Sequence, residues 1–146
     1  MNGPVEFDER QLEIRSKVFQ RGFFLLLTMI ITNTFLYNIG IIWTVDNWSY
    51  FIIAMLVLSF CLIELIFRDV AFSPRSMKRV SRMMILIGIM GLCLLVFCIT
   101  APAHVGFFEN NLISPIGGGI ITGAMFLTIG VVFVVKQHYN HKKIEE

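Results

Sequence analysis

A chain of 146 residues holds one domain and no more. Its hydrophobic share of 56% lies above the roughly 45–50% of soluble proteins, and its charged share of 15% lies well below their usual 25% or so, which excludes an ordinary soluble domain. The net charge of +2 comes without any extended basic region, so a nucleic-acid-binding module is excluded as well.

The apolar residues collect in four blocks, each near the roughly 20 residues that a helix needs to cross a hydrocarbon core about 30 Å thick. In chain order the reading is a tail over 1–21, a first span over 22–42, a second over 48–67, a basic loop over 68–82, a third span over 83–100, a loop over 101–115, a fourth span over 116–135 and a tail over 136–146. Strands are not expected, because an isolated strand leaves its backbone groups unpaired in lipid and no block alternates polar with apolar residues. The expected fold is therefore an all-α integral membrane protein, an antiparallel four-helix transmembrane bundle.

The N-terminal tail is not expected to be a cleavable leader, since a charged stretch of about twenty residues precedes the first apolar block. Glu6/Arg10 and Glu13/Lys17 stand at ion-pair spacing for a helix, so the tail is expected to run helically into the first span. Gly22, at the predicted membrane edge, is expected to tolerate a larger side chain. Orientation follows from the basic residues, which stay on the cytoplasmic side. The N-terminal tail holds four, the loop between spans two and three holds five and the C-terminal tail holds three, which accounts for all twelve. Both termini are accordingly expected in the cytoplasm of a cell with this chain in its plasma membrane. Trp43, Trp48 and Tyr50 flank the short outer turn, where amphipathic rings favour the headgroup level, and Phe107 and Phe108 suit the same level in the second outer loop.

Span one carries Asn33, Thr34, Tyr37 and Asn38 within about 140° of arc, so this face must look into the bundle or a wet cavity. Two readings follow: a small polar pocket, or hydrogen bonds between helices. Glu64 is the one carboxylate inside a predicted span. It either carries protons in a transporter or pairs with Arg68, four residues on, at the membrane interface. Gly119, Gly123 and Gly130 form a narrow stripe on span four. Met84, Gly88, Gly91, Leu95 and Cys98 form a comparable one on span three, fitted to packing within the monomer or to a homodimer.

Ser73-Pro74 reads as a helix start, so the third helix is expected to begin in the cytoplasm. Arg75, Lys78, Arg79 and Arg82 then occupy about 100° of that helix where it emerges, a stripe suited to anionic lipid heads or an acidic partner, or simply to fixing topology. Cys61, Cys93 and Cys98 lie in apolar blocks with no C-x-x-C pair and read as packing residues. His138 and His141 lack a third ligand, no histidine lies in a span, and the serines and threonines of the spans have no histidine partner there. No catalytic site, metal or cofactor is therefore expected.

Asp8-Glu9-Arg10, followed by Ile14-Arg15-Ser16-Lys17 and then directly by a span, resembles the D-E-R…K head of small uncharacterised multi-span membrane proteins of bacteria. The resemblance covers the head and the general layout. Val18 stands where a small residue usually follows the lysine. It implies a bacterial plasma membrane and a regulatory or accessory role, without a defined chemistry. The expected function is an accessory, regulatory or immunity-type component acting through a membrane-protein partner or a second copy. The alternative is a small dimeric transporter for a solute or ion, with Glu64 or the Asn33/Asn38 face as its substrate site. The two differ in whether those groups face a water-accessible cavity or are locked in side-chain contacts.

Overall fold

Four runs of apolar residues give four helices, and a computed structural model describes them over residues 8–45, 48–71, 77–100 and 106–145, with backbone alone at 77–79 and 141–145. They are α1 (Glu9–Asn38), α2 (Trp48–Phe67), α3 (Met77–Thr100) and α4 (Pro115–Glu145). Each is long and apolar enough to cross a membrane. The chain is a multi-pass membrane protein built as a nearly all-α four-helix bundle.

α1 is continuous from the charged tail through the first span. In the tail Lys17 Nζ lies 2.6 Å from Glu13 Oε1, and this contact holds the exposed Glu13 carboxyl below its ordinary range. The helix stops at Asn38, four residues short of the predicted Ile42. Gly40 adopts φ +84°, Gly40 N–H donates to Tyr37 O and Ile41 N–H donates to Leu36 O, the paired bonds of a Schellman ending. α2 ends the same way, with Asp69 rather than glycine in the left-handed position at φ 56°. There Asp69 N–H donates to Ile66 O and Val70 N–H donates to Leu65 O, and buried Val70 packs beside Leu65. α4 starts at a Ser-Pro pair: Ser114 Oγ accepts from Gly117 N–H, with Pro115 at the first helical position. Ser73-Pro74 lies outside the described residues.

The second outer loop departs from the helix-only expectation. Phe108–Glu109 (β1) and Leu112–Ile113 (β2) pair antiparallel around Asn110 and Asn111, both at positive φ, the residue type and conformation of a tight hairpin turn. Val45 N–H donates to Ile113 O and Ile113 N–H donates to Trp43 O. The loops after α1 and α3 therefore form one small cap. Phe107 and Phe108 stack edge to face there, with Phe108 exposed.

The helices stand in a row, α1 on α2, α2 on α4 and α4 on α3. α1 runs against α2, shown by Arg21 meeting Glu64 near one end and Asn33 meeting Ser49 near the other. α3 likewise runs against α4, with Ser81 bonding Gln137 and Gly88 beside Gly130. α2 and α4 run in the same direction, since Trp48 covers Gly118 at their starts and Lys136 reaches Phe67 O where α2 ends. One buried cluster, Val18, Val57, Cys61, Leu65 and Val70, joins α1 to α2. A second, Ile66, Met84, Ile129 and Phe133, joins α2, α3 and α4. α2 and α4 are thus the inner helices of the row, and α1 and α3 its two ends.

Candidate functional site

Glu64 sits in the last full turn of α2 with its side chain only 15% exposed. Its Oε1 accepts from Arg68 Nε at 3.0 Å and lies 2.9 Å from Arg68 Nη2. The same oxygen lies 2.9 Å from Arg21 Nη2, which arrives from α1. The third partner depends on packing one turn away. Gly22 lies over Cys61, and a Cβ on Gly22 would run into Cys61 Sγ. That close approach of α1 to α2 carries Arg21 to the carboxylate. Gly22 is therefore a buried contact between helices and not a permissive membrane edge, which corrects its sequence reading. Glu64 Oε2 is buried and has no hydrogen-bond partner.

The polar residues of the first span are not gathered into one pocket. Asn33 alone among the four is buried. Its amide is held at both ends: Nδ2 donates to Ser49 Oγ at 3.1 Å, and Oδ1 accepts from Trp43 Nε1 at 2.7 Å. Thr34 donates back to Ile30 O and lies 3.4 Å from the Tyr50 hydroxyl. Tyr37 and Asn38 are exposed. Asn33 thus binds α1, the turn after it and α2 together. The sequence reading places Trp43 at the headgroup level without linking it to Asn33, and it does not single out Ser49; a tryptophan beside the turn and a serine opposite Asn33 were the available signals.

The glycine stripes meet each other. A Cβ on Gly91 would stand 2.6 Å from Leu127 N and 2.8 Å from Gly123 O, and one on Gly130 would stand 2.7 Å from Gly88 Cα. Gly119 faces Cys98 Sγ, Gly123 faces Leu95, and Met84 is buried on the same seam. These contacts lie within one chain. Of the basic stripe, Arg82 is exposed; Arg75 and the side chains of Lys78 and Arg79 lie outside the described residues. A polar cluster that the sequence reading left aside closes the same end: Lys136 Nζ lies 2.9 Å from Asp69 Oδ2 and donates to Phe67 O, and Asn140 donates to Asp69 Oδ1.

Because α1 and α4 both pack on α2 and not closely on each other, a cleft of about 440 Å³ opens between them in the half nearer the loop cap. Its walls include Thr32, Asn33, Trp43, Ile53, Ile121 and Met125, and with Asn33 held by Trp43 and Ser49 the exposed lining is almost wholly apolar. Among the described residues no three His, Cys, Asp or Glu side chains converge in a way that could hold a metal ion. Set against known protein families, characterised proteins and solved structures, the chain matches none.

Proposed function

We propose that this protein is a non-catalytic component of a bacterial plasma membrane that acts through other membrane proteins, as an accessory, regulatory or immunity-type subunit. The observation that carries the reading is the engagement of Asn33 and of Glu64 Oε1 in side-chain contacts, with Glu64 Oε2 buried beside them. A solute pathway needs polar groups turned toward water. Here Asn33 is held by Trp43 and Ser49, Glu64 Oε1 is held by Arg21 and Arg68, and the cleft beside α1 offers an apolar wall. A polar group at membrane depth that is already bonded serves packing and register more readily than transport.

In this reading both termini and the Arg68–Arg82 loop are cytoplasmic, supported by the confinement of all twelve basic residues to those segments. Reporters fused after Glu146 and within 75–79 are expected to report cytoplasm, and one near Asn110 the outside. An outside signal from the fusion at Glu146 would end the four-span orientation.

The functional test is purification from native membranes in mild detergent, with quantitative identification of co-purifying proteins. A single partner recovered in fixed stoichiometry is expected. A protein that purifies alone, and that moves a solute across vesicles in a manner lost with Asn33→Leu or Glu64→Gln, would replace this reading with transport.

A further inference from the structure

We infer that Arg21 and Arg68, held together by Glu64, form a binding site for a phosphate-bearing anion, occupied in the membrane by the headgroup of an anionic phospholipid. The two guanidiniums share one acceptor, each with Nη2 2.9 Å from Glu64 Oε1. Their separation is thereby fixed by a carboxylate that is itself largely buried. Arg68 donates Nε–H to Glu64 and Arg21 donates Nε–H to Lys17 O, while the Nη2 of each lies 2.9 Å from Glu64 Oε1. A guanidinium has five N–H donors, so even with one Nη2 proton given to the ion pair each keeps at least three. The Arg21 and Arg68 side chains are 55% and 44% exposed, which leaves the guanidiniums accessible.

The cluster of two cations and one carboxylate keeps a net positive charge, and Glu64 Oε2 is buried and shielded from an incoming anion. Paired, pre-positioned guanidiniums are suited to the planar, bidentate recognition of phosphate oxygens. The level is also right. Arg68 directly follows the end of α2, and Arg21 stands at the start of the apolar part of α1. One helical turn deeper on the same faces lie Leu25, four residues after Arg21, and Phe60, four before Glu64. Both are exposed, at 37% and 52%, and offer an apolar path for an acyl chain beneath the phosphate. Basic pockets between transmembrane helices take lipid headgroups on this principle. The site stands apart from the choice of protein partner, since it needs only that the helices lie in a bilayer.

The test is native mass spectrometry of the full chain after incubation with phosphatidylglycerol, with phosphatidylcholine, or with inorganic phosphate. The parent is expected to retain phosphatidylglycerol in preference to phosphatidylcholine. Two variants read the site. Arg21→Lys with Arg68→Lys keeps both charges and the ion pairs but removes the planar forks. Arg21→Gln, Glu64→Gln and Arg68→Gln together remove the buried charge along with its partners, which avoids stranding a lone carboxylate. Each is expected to lower retention about tenfold, the scale of one or two charge-assisted hydrogen bonds, while Arg10→Gln, on the exposed tail part of α1, leaves it near the parent. Unchanged retention in the triple variant, or an equal loss in Arg10→Gln, would overturn the site. Competition by inorganic phosphate supports the phosphate chemistry. Binding of inorganic phosphate with no preference between the two lipids would overturn the lipid and leave a free anion as occupant.

Discussion

Glu64 concentrates the electrostatics of the basic end of the bundle on a single atom. One charge-assisted hydrogen bond from Arg68 Nε and two ion-pair contacts, from Arg68 Nη2 and Arg21 Nη2, converge on Oε1. An exposed pair of the Glu64–Arg68 kind contributes about 0–1 kcal/mol, and sequence spacing supports no more than that. Burial of the carboxylate and the second arginine raise the expectation, while the half-exposed guanidiniums keep it below the roughly 3–5 kcal/mol of a fully buried pair. Glu64→Gln removes the charged acceptor but leaves an amide oxygen, and it is expected to cost about 1–2 kcal/mol. Thermal unfolding in detergent reads this directly; a variant melting with the parent would mean that water, not Glu64, satisfies the arginines. Glu64 and Arg68 were legible as a pair because both lie on one helix at fixed spacing. Arg21 was not, because its approach depends on Gly22 lying against Cys61, a contact between two helices that neither sequence segment states alone.

Each helix is defined by hydropathy, but its ends and its neighbour are defined by particular residues. The spans were legible because a lipid-facing helix must be apolar on nearly all sides. The end of α1 was not, because Ile41 and Ile42 prolong the apolar run past the point where Gly40 turns the chain. The outer hairpin was missed because its strands are two residues each and its Asn110-Asn111 turn lacks the usual glycine. The α3–α4 seam was visible as two small-residue stripes, and its tightest points follow from what a methyl group would meet. At Gly91 the obstacles are the backbone nitrogen of Leu127 and the carbonyl oxygen of Gly123. At Gly119 the obstacle is Cys98 Sγ, at the end of a side chain that can rotate. Gly91→Ala is therefore expected to destabilise by about 1–3 kcal/mol, and Gly119→Ala by distinctly less. Gly22→Ala meets a cysteine sulfur more closely than Gly119→Ala does, and because Cys61 is buried while Cys98 is not it is expected to fall between Gly119→Ala and Gly91→Ala. Unfolding midpoints of the three variants rank them; Gly119→Ala falling as far as Gly91→Ala would show that the seam is uniformly rigid.

At the scale of the molecule, the chain's up-and-down path does not decide which helices touch. Sequence order suggests that consecutive helices neighbour one another, yet α2 packs against α4 in the same direction, and α4 separates it from much of α3. The reason is distributed. Trp48 covers Gly118, Lys136 caps the end of α2 at Phe67 and Asp69, and Ile66 shares a core with Ile129 and Phe133. Such complementarity needs residues from both ends of α2 to find matching residues on α4, and no periodicity within one helix displays it. Cross-linking can test this arrangement in a background without Cys61, Cys93 and Cys98 and with a protease site inserted at 101–105. Trp48→Cys with Gly118→Cys marks the starts of α2 and α4, beside the loop cap, and Ile66→Cys with Phe133→Cys marks the opposite end. Both matched pairs are expected to hold the proteolytic fragments together through a short bis-maleimide. The crossed pair, Ile66→Cys with Gly118→Cys, is expected to let them separate, because the eighteen-residue offset along α2 places those positions about 27 Å apart. Linking of the crossed pair, or failure of both matched pairs in a variant that still inserts, would remove α4 from beside α2. The cleft between α1 and α4 would go with it, since that cleft exists only because both helices lean on the same neighbour.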